Sequence, residues 1–241
     1  VLVGLPLKIT SWPPTLMMAR LAASTSTPTF AATSSKKFLI VSSSTRIAAR
    51  EKINSRLDKN CEGYSSSKLW DFMGYRGLPT VDTFMSNVRV PKGNLLGQRG
   101  KGFDILLKMI SGARISSCAR CLAIGQAAMD EAVKYSKQRT RRGSPISAMM
   151  SIQGMIAEIA SRVEAARWTT YRVAFLRERG NDVTMESAMA KLFVSRIARE
   201  VADMSLQIHG AYGFTRDFKI ERIYRAAKEG EIVEGTSEIQ R

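Results

Sequence analysis

The chain has 241 residues, 44% of them apolar, with 37 Lys and Arg against 21 Asp and Glu and a formal charge of +16. That length holds one large domain or one domain with a long appendage, and the apolar share is enough for a packed core. Three cysteines, Cys61, Cys118 and Cys121, offer no even framework, which argues against a disulfide scaffold and for a reducing compartment. No apolar run approaches the ~18–20 residues of a membrane span, so a soluble protein is expected. The basic excess suits either a polyanionic partner, whether nucleic acid or a phosphate-bearing cofactor, or simply a solvated basic surface.

Residues 1–67 show no sustained hydrophobic period and are expected to be an irregular leader. Residues 1–50 contain no Asp or Glu but carry Lys8, Arg20, Lys36, Lys37, Arg46 and Arg50, and residues 21–50 are rich in Ser and Thr. This composition fits an organellar transit peptide, a disordered low-complexity segment, or sequence joined to the rest from elsewhere. The first reading implies the mitochondrial matrix; a prokaryotic chain would be cytoplasmic.

From Lys68 the pattern changes. Residues 78–90 include strand-like alternation, with Val81, Thr83 and Met85 on one side. Pro91–Asn94 supplies a turn, and Gly97, Gly100 and Gly102 form a flexible approach to the next element. Residues 68–97 thus form a short β segment, and 98–241 a helical domain.

Three long helical patterns follow. The first, over about 30 residues, places Ile105, Leu106, Met109, Ile110, Leu122, Ala128 and Ala132 broadly at helical spacing. The second runs from about Ser147 to Glu178, and Gly180-Asn181 ends it as a left-handed cap. The third opens near Thr184, a candidate N-cap, with Met189, Leu192, Phe193, Ile197, Val201, Met204 and Ile208 as its core-facing stripe. A shorter helix is expected around Ile220–Lys228. Short connections make the arrangement an up-and-down antiparallel bundle, so the fold class is mostly α, preceded by the β segment and the irregular leader.

A bundle performs no reaction by itself. His209 is the only histidine, no E-x-x-H pair occurs and the phosphate-loop motif is missing, so neither a metal site nor a serine triad is indicated. Cys118 and Cys121 lie inside a helical pattern and read as small packing residues. Two segments stand out. Gln207–Phe214 mixes small and polar residues at a helix end, where a ligand can approach the backbone. In Glu231–Arg241, Glu234 sits in a turn before Gly-Thr-Ser, itself a possible helix start; a surface or capping acid is the plain alternative.

Together these stretches resemble the acyl-CoA dehydrogenase family. The matching residues are Val88–Gly97, Gly100–Phe103, Ala188–Leu192, Gln207–Phe214 and Glu234-Gly-Thr-Ser-Glu-Ile-Gln-Arg241, in order along about 170 residues. The resemblance implies the end of the family's middle β-domain followed by its carboxy-terminal helical bundle. It also implies FAD as cofactor, an acyl-CoA thioester as substrate and electron-transfer flavoprotein as acceptor. In the family reaction a proton leaves the thioester α-carbon while hydride passes from the β-carbon to flavin N5. Glu234 occupies the base position, where the chemistry favours a carboxylate buried against acyl chain and flavin. Hydrogen bonds from the base residue's amide and a flavin ribityl hydroxyl stabilise the developing enolate. A subset of the family carries its base before an Arg on the first long helix; that position is Ala113, before Arg114, so Glu234 is the candidate. By the same resemblance Arg114 and Gly235 contact substrate. Arg139, Gln207, Gly210, Thr236 and Glu238 contact FAD, some of them reaching a neighbouring subunit's cofactor, and a homodimer or homotetramer is expected.

The chain departs from the family pattern at several positions. R-x-x-F-G reads Arg139-Thr-Arg-Arg-Gly143, with Arg142 in the aromatic position. Met150 replaces a Gln, Ser111 replaces an Asp, and Ala226 stands where an Asp often follows Arg225. The family's amino-terminal helical domain, most of its β-domain and its usual final helix have no counterpart, so a partial enzyme is expected. Two other readings remain: a DNA-binding relative, suggested by the charge, and an inert helical piece that only oligomerises.

Overall fold

The computed structural model describes residues 60–78 and 80–241, together with the backbone of 37–41 and 54–58. The expectations for residues 1–36, 42–53 and 59 lie outside the described residues. Where 1–67 was read as irregular, short strands occur. β1 (Lys37–Val41) pairs antiparallel with β2 (Asn54–Asp58), Lys37 opposite Asp58. β3 (Tyr64–Ser66) pairs antiparallel with β4 (Thr83–Met85), Tyr64 opposite Met85. Strands of three to five residues are too short to show a period of two, and Phe38-Leu-Ile-Val41 is a continuous apolar run rather than an alternation.

Four helices build the body: α1 (Gly102–Gln138), α2 (Met150–Glu178), α3 (Thr184–His209) and α4 (Lys219–Glu229), with a one-turn α5 (Ser237–Gln240) at the end. Their directions follow from side-chain pairs. Gly112 lies against Arg177 and Gly125 against Val163, so α1 and α2 are antiparallel. Gly125 also meets Ala198, and Tyr135 stacks on His209 ten residues further along, so α3 runs with α1. Lys219 pairs with Glu131 and Glu229 with Arg120, so α4 runs back down α1. The mostly helical bundle is therefore as expected. Among the described residues no helix is long and apolar enough to cross a membrane.

Local chemistry sets the helix ends. After α2, Gly180 adopts φ +80°; its N–H donates to the Arg177 carbonyl and the Asn181 N–H to that of Leu176. This is the left-handed cap read from Gly-Asn, and only glycine enters that region without a Cβ penalty. At the start of α3 the capping role falls to Asp182 rather than Thr184. Its carboxylate accepts from the Thr184 N–H at 3.0 Å and the Thr184 hydroxyl at 2.7 Å. Those bonds hold the Asp182 carboxyl below its usual range.

The core is built largely from small residues: Ala128, Ala132, Ala166, Ala190, Ala198 and Ala202 are all buried. They let α3 pack closely between α1, α2 and α4. Cys118 and Cys121 belong to this core, and burial pushes their thiols up to about 12 and about 11, which keeps them unreactive. The sequence pattern puts Met189 and Phe193 on the core stripe of α3, yet they are 53% and 40% exposed. With three neighbouring helices, α3 buries a wide face of small residues, and these two large side chains fall on its remaining outer face.

The single histidine gives the fold a pH dependence. His209 is buried at the end of α3, stacked on Tyr135 with ring centroids 4.2 Å apart and with Nδ1 2.7 Å from the Ser205 carbonyl oxygen. Burial lowers its proton affinity, outweighing the Ser205 bond and the Glu131 charge that favour the cation. Unfolded chains therefore bind the proton first as pH falls below about 6.5. The His209 contribution is complete above that pH and is lost as pH drops through the folded value. Melting between pH 7.5 and 5 should fall more steeply for the native chain than for His209→Phe, which keeps a ring against Tyr135; equal slopes would contradict this.

Candidate active site

The segment carrying Glu234 begins where α4 stops. Gly230 permits the exit: a Cβ there would lie 2.5 Å from Cys121 Sγ, against the body of α1. Glu231 follows, accepting from Arg199 Nε at 3.0 Å and Lys228 Nζ at 2.6 Å. Glu234 and Gly235 then adopt φ +57° and +95° in succession. A left-handed non-glycine residue costs about 1–2 kcal/mol, so surrounding contacts must impose the turn.

Those contacts are hydrogen bonds to its carbonyls. Gln240, buried on α5, donates from Nε2 to the Glu234 and Gly235 carbonyl oxygens, both at 3.0 Å. Lys191 of α3 donates from Nζ to the Gly235 carbonyl at 2.5 Å. Gly235 has no room for a side chain, since a Cβ would sit 2.5 Å from Gln240 Nε2. The Glu234 side chain is half-buried, within electrostatic reach of Lys191 and Glu229. Burial raises the Glu229 carboxyl above its usual range, against the pull of Arg120, to which it is paired at 3.0 Å.

Arg114 of α1 is half-buried and carries charge close to Lys191. Its Nε is buried with no hydrogen-bond partner among the described residues. Thr236 and Glu238 face a groove of about 650 Å³ between α3 and the terminal segment, with Met189, Phe193 and Arg199 along its wall. The two side chains displaced from the core thus line this groove. Thr236 caps α5 by position, without a side-chain cap bond, and Glu234 does not line the groove.

The remaining site candidates lie at the other end of α3. Gln207 and Gly210 are exposed there, and Gly210 turns the chain with φ +58°. Arg139, at the end of α1, holds its guanidinium carbon 5.2 Å from the centre of the Tyr212 ring. Beyond it, Thr140-Arg141 and Ser144-Pro145 form a two-residue hairpin turned by Arg142 and Gly143, with φ +52° and +81°. From Lys191 to Gln207 the rise along α3 is roughly 24 Å. The structure therefore places Arg114 and Glu234 both within electrostatic reach of Lys191, with Gly235, Thr236 and Glu238 next in the chain, and sets Arg139, Gln207 and Gly210 at the opposite end of α3.

Sequence reasoning missed Lys191 and Gln240 as parts of the site. Both stand inside stretches that matched the family, Ala188–Leu192 and Glu234–Arg241, which was the only signal pointing to them.

Comparison with known proteins agrees with this architecture. The family model for the acyl-CoA dehydrogenase C-terminal domain matches residues 100–241. The chain is 43% identical over 185 residues to acryloyl-CoA reductase (NADH) of Anaerotignum propionicum, covering 77% of this chain and 47% of that protein. It is 38% identical over 184 residues to a subunit of the caffeyl-CoA reductase–Etf complex of Acetobacterium woodii, covering 76% and 48%. It superposes with a TM-score of 0.74 at 28% identity on acyl-CoA dehydrogenase complexed with FAD from Bacillus anthracis, covering 78% of this chain and 36% of that one. The chain spans about half the length of the curated relatives it matches. From the residues matched and the identity of its relatives, the chain belongs to the acyl-CoA dehydrogenase family.

Proposed function

We propose that this chain carries the catalytic base and part of the cofactor and thioester sites of an FAD-dependent acyl-CoA dehydrogenase, which desaturates an acyl-CoA between its α and β carbons. The observation that carries the reading is the position of Glu234, half-buried on a left-handed turn that two buried side chains fasten to the bundle. A turn fixed in that way presents the carboxylate from a settled backbone, which is what general-base catalysis asks of its position.

In this reading Glu234 takes the proton from the α-carbon. Its own amide N–H donates to the thioester carbonyl oxygen, where negative charge gathers as the C–H bond breaks. Arg114, half-buried and near the turn's lysine, brings a second positive charge to the side of the site where the thioester would lie. The residues also fit a dinucleotide. Arg139 over Tyr212 offers a cation and an aromatic face to phosphate and adenine, with Gln207 and the open backbone at Gly210 beside it. Thr236 and Glu238 would hold the flavin end along the groove. When bound, the flavin supplies the hydride acceptor for the β-carbon.

The two clusters stand roughly 24 Å apart along α3, which suits residues of one subunit serving two cofactors in a homodimer or homotetramer. Electron-transfer flavoprotein is the proposed acceptor, in line with the relative that works in an Etf complex. The purified chain should take up FAD, seen as flavin absorbance after desalting, and reduce an electron-accepting dye only when an acyl-CoA is supplied. A colourless protein that retains no added FAD would contradict the proposal.

A further inference from the structure

Among the described residues the most completely enclosed charged side chain takes no part in the proton or hydride transfer itself. Lys191 lies two turns into α3, on its buried face, and is 1% exposed. It is set among Ala190, Val194 and the Cys118 and Cys121 thiols of α1. A lysine amino group in such surroundings is costly unless polar partners compensate it. Among the described residues no carboxylate lies within ion-pairing distance of Lys191. The partner it does have is the Gly235 carbonyl, 2.5 Å from Nζ and 44 residues away in sequence.

We infer that Lys191 is a positioning residue that fastens the Glu234–Gly235 turn to the bundle core by donating to the Gly235 carbonyl. The inference rests on Glu234 being the base. Three features support it. The turn has two successive left-handed residues, one of them not glycine, and needs an outside hold to persist. The second hold, Gln240, comes from the same short terminal segment and cannot by itself fix that segment against α3. The charge is also placed to serve the site. Burial pulls Lys191 below the usual lysine range, and the Arg114 charge acts the same way, while the Glu234 carboxylate acts to keep it cationic. A cation behind the turn strengthens the bond to the carbonyl without pairing with the base directly.

The test replaces the lysine with a side chain of similar length and no donor, Lys191→Met, in the full chain. Hydrogen exchange of the amides in residues 231–241 should become about 10-fold faster or more, because a charge-assisted hold has been removed. The melting temperature should stay level or rise, since an apolar side chain replaces a buried charge. With FAD bound, kcat should fall at least about tenfold while KM for acyl-CoA changes little, as expected when a base is mispositioned rather than binding lost. Should Lys191→Met not fold, Lys191→Gln retains a neutral donor and should show the same changes to a smaller degree. Unchanged exchange in 231–241, exchange accelerated equally throughout α1–α3, or an unaltered kcat would each overturn the inference. Glu234→Gln separates this from the base assignment: it should lose turnover and keep slow exchange in 231–241. Full turnover in that variant would remove the base and leave the exchange result to decide the structural hold alone.

Discussion

Glu234→Gln should lower acyl-CoA turnover by about 10²–10⁴-fold, the usual contribution of a positioned general base, while bound flavin stays at the native level. The substitution is close to isosteric and keeps the left-handed backbone no more strained than before. The bonds that hold the turn, from Lys191 and Gln240, end on backbone carbonyls of residues 234 and 235 and not on the Glu234 side chain. Structure and binding should therefore survive while the proton acceptor is lost. Dye-coupled turnover at saturating substrate, read beside flavin absorbance of the same sample, checks both halves. Glu229 is the nearby acid that could substitute, but it is committed to Arg120 at 3.0 Å. Equal rates in the two proteins would defeat the assignment.

The second large effect is expected at Gly230, where the chain leaves α4 for the base. Its φ of −57° is open to any residue, so the need for glycine is one of space. An alanine Cβ would lie 2.5 Å from Cys121 Sγ and 3.4 Å from Ser195 Cβ. Cys121 is itself buried in α1 and has little freedom to withdraw. Overpacking of this kind costs about 1–3 kcal/mol, and here the strain falls on the segment that aims Glu234. Gly230→Ala should lower both stability and kcat. Cys121→Ala removes the atom in conflict, so the double variant should recover most of the loss, giving a coupling of about 1–2 kcal/mol in denaturant unfolding. Additive losses would mean that the thiol is not what limits residue 230.

The bundle was legible in the sequence because long helices repeat their pattern many times. The Gly180 cap was equally open to reading, since a left-handed residue after a helix has few candidates. The short strands β1 to β3 left no such trace. On α3 the apolar side chains suggested a stripe through Met189 and Phe193, but burial on three sides was decided by small residues such as Ala190 and Ala198, which carry little hydrophobic signal. The site was legible only in part. Glu234 could be picked out through the stretch around it. Lys191 could not be, because a lysine in a helical pattern reads as a solvated residue, and its partner lies 44 residues away. Asp182 displaced Thr184 as the cap of α3 for a related reason: both residue types cap helices, and sequence alone does not rank adjacent candidates.

Deuterium uptake at the α-carbon of a saturated acyl-CoA, incubated in D2O with the FAD-loaded chain and followed by mass spectrometry, reads the proposed proton transfer itself. The native protein should introduce deuterium at that carbon, and Glu234→Gln, with its flavin in place, should introduce none above the rate without protein. Equal uptake in the two proteins would show that another group removes the proton and would end the case for Glu234.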